Sequence, residues 1–176
     1  ELLLDEQPSL RERVVFAAFV YPSREGLPEY LAYRTEVEAA VARINERFAT
    51  PTWTPILHEV DDDFPRSVAA LQRSDVLLVN PVRDGLNLVA KEGPIVNERD
   101  GVLVLSGQSG VWSELGDLAV GVNPFDVAGT ADALHHALSM APVERKALAS
   151  ALRDRALART AHDWFADQVA AASITH

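Results

Sequence analysis

Five short apolar runs alternate along this chain with segments whose apolar residues recur every three to four positions. No other feature restricts the fold as much. A strand followed by an amphipathic helix, repeated, has one compact solution: strands lie parallel and side by side, and helices cover the faces. The strand runs are Arg13 to Val20, Trp53 to Val60, Asp75 to Asn80, Gly101 to Leu105 and Ala119 to Val122. Leu27 to Phe48 is a long helix with Val37, Val41, Ile44 and Phe48 on one face, and Pro28 suits its first turn, where an N–H is not needed. Pro65 to Arg73 is a short helix, and another runs from Asn87 to about Glu98. Gly107 to Gly110 is expected to be a flexible loop, and helices over about 127–140, 142–158 and 163–172 close the chain. The expected fold class is α/β, a Rossmann-like parallel sheet with helices on both faces.

The net charge of −10 and pI near 4.9 argue against nucleic acid or an anionic membrane as partner. They leave room for a small anionic ligand, because a local site can be positive on an acidic protein. There is no cysteine, so disulfides and thiolate metal sites are excluded. No apolar run reaches the ~18 residues of a membrane helix, and a cytoplasmic location is expected. Glu1 to Pro8 reads as the tail of a helix, so the chain is expected to be a piece of a longer protein. A homo-oligomer is left open.

The chemistry concentrates between Val76 and Glu92. A buried strand feeds a turn at Asp84-Gly85, and a helix opens at Asn87. A helix start exposes backbone N–H groups at the positive end of the dipole, a ready seat for a phosphate or diphosphate. Glu92 lies four residues after Leu88, one turn in, where a carboxylate suits the two hydroxyls of a ribose. Spacing alone leaves a second possibility, in which Asp84-Gly85 is a turn-forming pair that binds nothing.

The order of residues goes further. Arg83-Asp-Gly-Leu-Asn-Leu-Val-Ala-Lys-Glu92 resembles the donor-site signature of the trehalose-6-phosphate synthase family of retaining glycosyltransferases. Pro22-Ser-Arg24, Tyr30, Arg43-Ile-Asn45, Phe48, Trp53-Thr-Pro55, Ser74-Asp-Val76 and Asn123-Pro124 fall in the same order as in that family. The resemblance implies the C-terminal half of a two-domain GT-B fold. Residues 1–158 would be the donor-binding domain, and 159–176 a helix packing on an N-terminal domain of the same chain.

It further implies transfer of a hexose from a nucleotide-diphosphate sugar, UDP or GDP, to a phosphorylated acceptor, with no cofactor and no metal. Asp84 and Asn87 would be catalytic. Gly85, Leu86, Asn87, Leu88, Val89 and Glu92 would bind the donor, and Arg24 the acceptor phosphate. Asp63 and Phe64 fall in the family's base-contacting loop, which is shorter here. In the family the leaving phosphate helps deprotonate the acceptor on the front face, so no protein nucleophile is required. The family's catalytic His and its diphosphate-gripping Arg and Lys would precede Glu1, and the segment alone is expected to be inactive.

Other features carry less. Asp61-Asp-Asp63 reads more simply as a solvated acidic loop than as a metal site, and the helical neighbours His135 and His136 diverge too far to share an ion. Leu86 stands where the family usually has Met, and Pro94 is expected to kink the helix after its first two turns. A pseudo-glycosyltransferase branch, joining a nucleotide-linked cyclitol to an amino-cyclitol phosphate through a C–N bond, could use the same cradle. A non-catalytic regulatory domain is the alternative of another class. A receiver-like phospho-acceptor domain lacks the expected downstream Lys.

Overall fold

The computed structural model describes residues 1–22 and 27–173. The chain divides into two compact units, Glu1–Ala70 and Leu71–His176.

In the first unit, α1 (Leu2–Glu6) and a 3-10 turn (Pro8–Leu10) precede β1 (Phe16–Val20), α2 (Pro28–Phe48), β2 (Ile56–Val60) and α3 (Phe64–Arg73). β1 and β2 pair in parallel, Phe16 opposite Ile56 through Val20 opposite Val60. One side chain sets where β2 begins. The Asn45 amide donates to the Ile56 carbonyl and accepts from the Ile56 N–H, both at 3.0 Å, tying the last turn of α2 to the strand. Trp53 Nε1 donates to the Val14 carbonyl at 2.8 Å and holds the approach to β1. Val37, Val41, Ile44 and Phe48 form the less exposed face of α2, as their spacing predicts. The helical tail expected at Glu1 to Pro8 is α1. Arg43 and Arg47 clasp it through Glu1 (2.6 and 2.9 Å), and their guanidinium groups hold the Glu1 carboxyl below its ordinary value.

The second unit runs β3 (Val76–Val79), α4 (Val89–Val96), β4 (Val102–Ser106), α5 (Trp112–Leu115), a 3-10 turn (Gly116–Leu118), β5 (Val120–Val122), α6 (Val127–Ser139), α7 (Pro142–Leu157) and α8 (Ala161–Ser173). Its sheet is parallel in the order β3-β4-β5, with Val76 opposite Val102 and Val104 opposite Val120. β4 is central and buried throughout, which explains its unbroken apolar run.

The two-residue period of a strand sorts these side chains into two cores. Leu77, Val79, Leu103 and Leu105 meet Ala90 of α4, Leu115 of α5 and Leu152 of α7 on one face. Val76, Leu78, Val102, Val104 and Val122 meet Ala133 and Ala137 of α6 on the other. The three-layer α/β arrangement expected from the alternation is present here, with helices on both faces. Burial of an aliphatic side chain contributes about 1.5–3 kcal/mol, so this doubly covered sheet is the firm platform for whatever its loops carry.

Candidate functional site

Ligands of parallel α/β sheets sit beyond the carboxyl ends of the strands. There, β3 ends at Val79 and the chain crosses Pro81 to Leu88 before α4 begins at Val89. The helix thus opens two residues later than the sequence predicts, because Asn87 leaves the helical region with φ 66°. An asparagine tolerates this left-handed conformation better than most residues. Gly85, expected to supply the tight turn, has no positive φ, and a Cβ placed on it would meet nothing within 4 Å. The backbone reversal therefore belongs to Asn87.

The Asn87 amide makes two bonds. Its Nδ2 donates to Asp84 Oδ2 at 2.6 Å, and its Oδ1 accepts from the Ala90 N–H at 3.2 Å. One side chain thereby orients the half-buried Asp84 carboxylate and satisfies one orphan donor of α4. Leu88 and Val89 lie ahead of that capped position. Their N–H groups donate to nothing among the described residues, and the two residues are 58% and 45% exposed. The start of α4 therefore keeps an open pair of donors at the positive end of its dipole.

Charge is distributed unevenly around this point. Lys91 is spent on Glu114, with Nζ to Oε2 at 2.7 Å and both side chains mostly covered, which ties α4 to α5. Glu92 is exposed in the first turn of α4, and its carboxylate engages no partner among the described residues. Arg83, also exposed, is a cation without a hydrogen bond or ion pair there. Pro94 sits inside α4, but the helix continues through it and ends two residues later at Val96. The expected disturbance is confined to the last turn, away from the open donors.

The loop after β4 was invisible to sequence reasoning as part of this place. Gly107 to Gly110, expected to be flexible, is held by several bonds. Gln108 N–H donates to Ser106 Oγ at 3.1 Å, Gly107 N–H to the Val122 carbonyl at 3.1 Å, and Gly110 N–H to the Asp84 carbonyl at 3.2 Å. Asp84 and Ser109 form a parallel bridge. The available signal was Ser106, a polar residue closing a wholly apolar strand.

Arg24 lies outside the described residues. Asp63 caps α3: its Oδ1 accepts from the Arg66 N–H at 3.0 Å and its carbonyl from the Ser67 N–H at 3.0 Å. Phe64 is 75% exposed. Among the described residues, no group of three or more His, Asp or Glu is placed to hold a metal. Nor is any helix there long and apolar enough to cross a membrane.

A parallel α/β sheet whose carboxyl edge carries an open helix start beside a fixed Asp–Asn pair defines a Rossmann-like domain. Comparison with known proteins narrows this class. The model of Glycosyltransferase family 20 matches residues 1–173, and the chain belongs to that family.

The bifunctional trehalose-6-phosphate synthase/phosphatase of Thermoproteus tenax is 39% identical over 170 residues, covering 95% of this chain and 23% of that protein. The solved structure of trehalose-6-phosphate from E. coli bound with UDP-2-fluoro glucose superposes with a TM-score of 0.90 at 31% identity, over 96% of this chain and 38% of that one. An α,α-trehalose-phosphate synthase (UDP-forming) from Burkholderia xenovorans, in complex with glucose-6-phosphate, gives 0.81 at 38% identity, over 87% and 35%. The chain thus spans well under half the length of these relatives. The expected fold class, an α/β portion of a GT-B protein, holds.

Proposed function

We propose that this chain is the donor-binding half of a retaining glycosyltransferase. The whole enzyme moves a hexose from a nucleotide-diphosphate sugar to a sugar phosphate, as a trehalose-6-phosphate synthase does. The observation that carries this reading is the open start of α4, where Leu88 and Val89 offer two unpaired N–H groups one residue beyond the Asn87 reversal.

Glycosyl transfer develops two charges, negative on the departing diphosphate and positive on the sugar ring. Fixed N–H donors stabilise the first without reorganising, and loss of one such donor typically costs about 3–4 kcal/mol of transition-state energy. The Leu88 and Val89 amides take the diphosphate, and the free Glu92 carboxylate takes the ribose hydroxyls. Asp84 and Asn87, already bonded to each other, hold the sugar with the backbone of Gly85 and Leu86. Arg24 grips the acceptor phosphate through the bidentate geometry of a guanidinium. The leaving phosphate itself assists removal of the acceptor proton, so the site needs no nucleophilic side chain.

Relatives that are UDP-forming favour uracil as the base, with Asp63 and the exposed ring of Phe64 beside it. Residues 1–158 form the donor domain. α8, whose Trp164, Phe165 and Val169 are exposed, packs on an N-terminal domain of the same chain.

The test is calorimetric titration of the intact protein with UDP and with GDP, alongside Glu92→Ala. UDP is expected to bind saturably, and the substitution to weaken it about tenfold or more, the worth of a hydrogen bond to a charged group. A folded protein that binds neither nucleotide at millimolar concentration refutes the proposal.

A further inference from the structure

We infer that Gly110 is a positioning residue for the sugar-binding part of the site, set there to let the loop after β4 hold the Asp84–Leu86 turn. This rests on the donor-site reading above and adds to it a second loop. Three contacts join the two loops. Fully buried Ser106 donates its hydroxyl to the Pro81 carbonyl at 2.8 Å, Ser109 bridges Asp84 in parallel, and the Gly110 N–H donates to the Asp84 carbonyl at 3.2 Å.

The approach at Gly110 is the closest of these. A Cβ there would overlap the Gly85 carbonyl oxygen, and would lie 2.6 Å from its carbonyl carbon and 3.3 Å from the Leu86 nitrogen. The obstacle is backbone, so no rotamer change relieves it. Gly110 has no positive φ that would itself require glycine. The neighbouring turn, not its own conformation, demands the missing side chain. Gly107, three residues earlier in the same loop, makes a clean contrast, since a Cβ there meets nothing within 4 Å.

Besides the Asn87–Asp84 bond, the start of α4 has anchors of its own. The Ala90 N–H is held by Asn87 Oδ1, the Glu92 N–H donates to the Leu88 carbonyl at 2.8 Å, and Lys91 is fixed by Glu114. Pushing Gly85 and Leu86 away from Gly110 therefore displaces the sugar-lining turn and leaves the diphosphate donors of Leu88 and Val89 where they are. The two halves of a nucleotide sugar should respond differently to one methyl group.

The experiment compares Gly110→Ala with the unaltered protein in titrations with UDP and with UDP-glucose, and Gly107→Ala serves as control. Gly110→Ala is expected to keep UDP affinity within about twofold and to lose about tenfold or more in UDP-glucose affinity, the worth of about one hydrogen bond to the sugar. Gly107→Ala keeps both. If Gly110→Ala does not fold, Ser106→Ala, which cuts the Pro81 tie without adding an atom, should show the same asymmetry at about threefold. Equal losses of UDP and UDP-glucose, or no loss of either, overturn the positioning role while leaving the donor site standing. An unaltered protein that binds neither ligand overturns the donor-site reading, and this inference with it.

Discussion

Replacing Asn87 by alanine and by glycine separates its two jobs. Alanine removes the acceptor that caps Ala90, a loss of about 1 kcal/mol for such a cap. It also releases Asp84 from a 2.6 Å bond; for a half-exposed carboxylate we take this as about 1 kcal/mol, below the range for fully buried charged pairs. Last, it forces a side chain with a Cβ to hold φ 66° without the local hydrogen bonds that favour asparagine there, worth a further 1 kcal/mol or so. The sum is about 3 kcal/mol.

Glycine loses the same hydrogen bonds but adopts the left-handed conformation freely, and part of that gain is returned as unfolded-state entropy. Asn87→Gly should therefore be the more stable variant by about 0.5 kcal/mol, a difference of about a quarter of a molar in the urea midpoint. Equilibrium unfolding followed by far-UV circular dichroism reads this directly. Equal midpoints, or a more stable alanine variant, would show that the positive φ carries no strain and that the two bonds are the whole role of Asn87.

Two further outcomes follow from the geometry. Gly85→Ala should leave stability within about 0.5 kcal/mol, since nothing lies within 4 Å of the added methyl group and the backbone is not left-handed. It should nevertheless weaken UDP-glucose binding, and undiminished affinity would mean that no sugar lies against that Cα. The second concerns pH. Thr160 N–H and Oγ1 both donate to Asp163 Oδ2, at 2.8 and 2.7 Å, and the Asp163 N–H donates back to Thr160 Oγ1. The backbone bond first, then the hydroxyl, holds the Asp163 carboxyl below its usual value. A depressed folded value means that this support for α8 is complete above the ordinary aspartate range and is lost as pH falls through the lowered value. Helix loss on acidification below about pH 4 should shrink in Thr160→Ala, whereas an unchanged acid transition would assign it to other carboxylates.

Much of this molecule could be read from its residues. The strands and long helices lie within a few residues of where periodicity puts them, because burial on a sheet face imposes a period of two and burial of a helix face a period near 3.6. The stretch from Arg83 to Glu92 was legible as a strand–turn–helix and as a family signature. Its inner geometry was not. The turn was placed at Asp84-Gly85, and the left-handed backbone proves to be at Asn87. Nor did the sequence show that the Asp63 carboxylate caps α3. Local hydrogen bonds of this kind compete with ligand roles for the same residue types, and sequence shows the type without the partner.

The sequence by itself determined the class of fold, the family and the segment that carries the chemistry, because each depends on residues adjacent or regularly spaced along the chain. Tertiary structure alone decided which donors stay open and what braces them. Leu88 and Val89 are free because Asn87 caps the next position instead, and Lys91 is withdrawn toward Glu114 of another helix. The brace from Ser106 to Gly110 reaches Pro81, Asp84 and Gly85 across more than twenty residues of chain, through adjacent parallel strands whose carboxyl ends lie side by side. Contacts made by strand adjacency leave no periodic trace in the sequence, which is why the roles of Ser106 and Gly110 were found only in three dimensions.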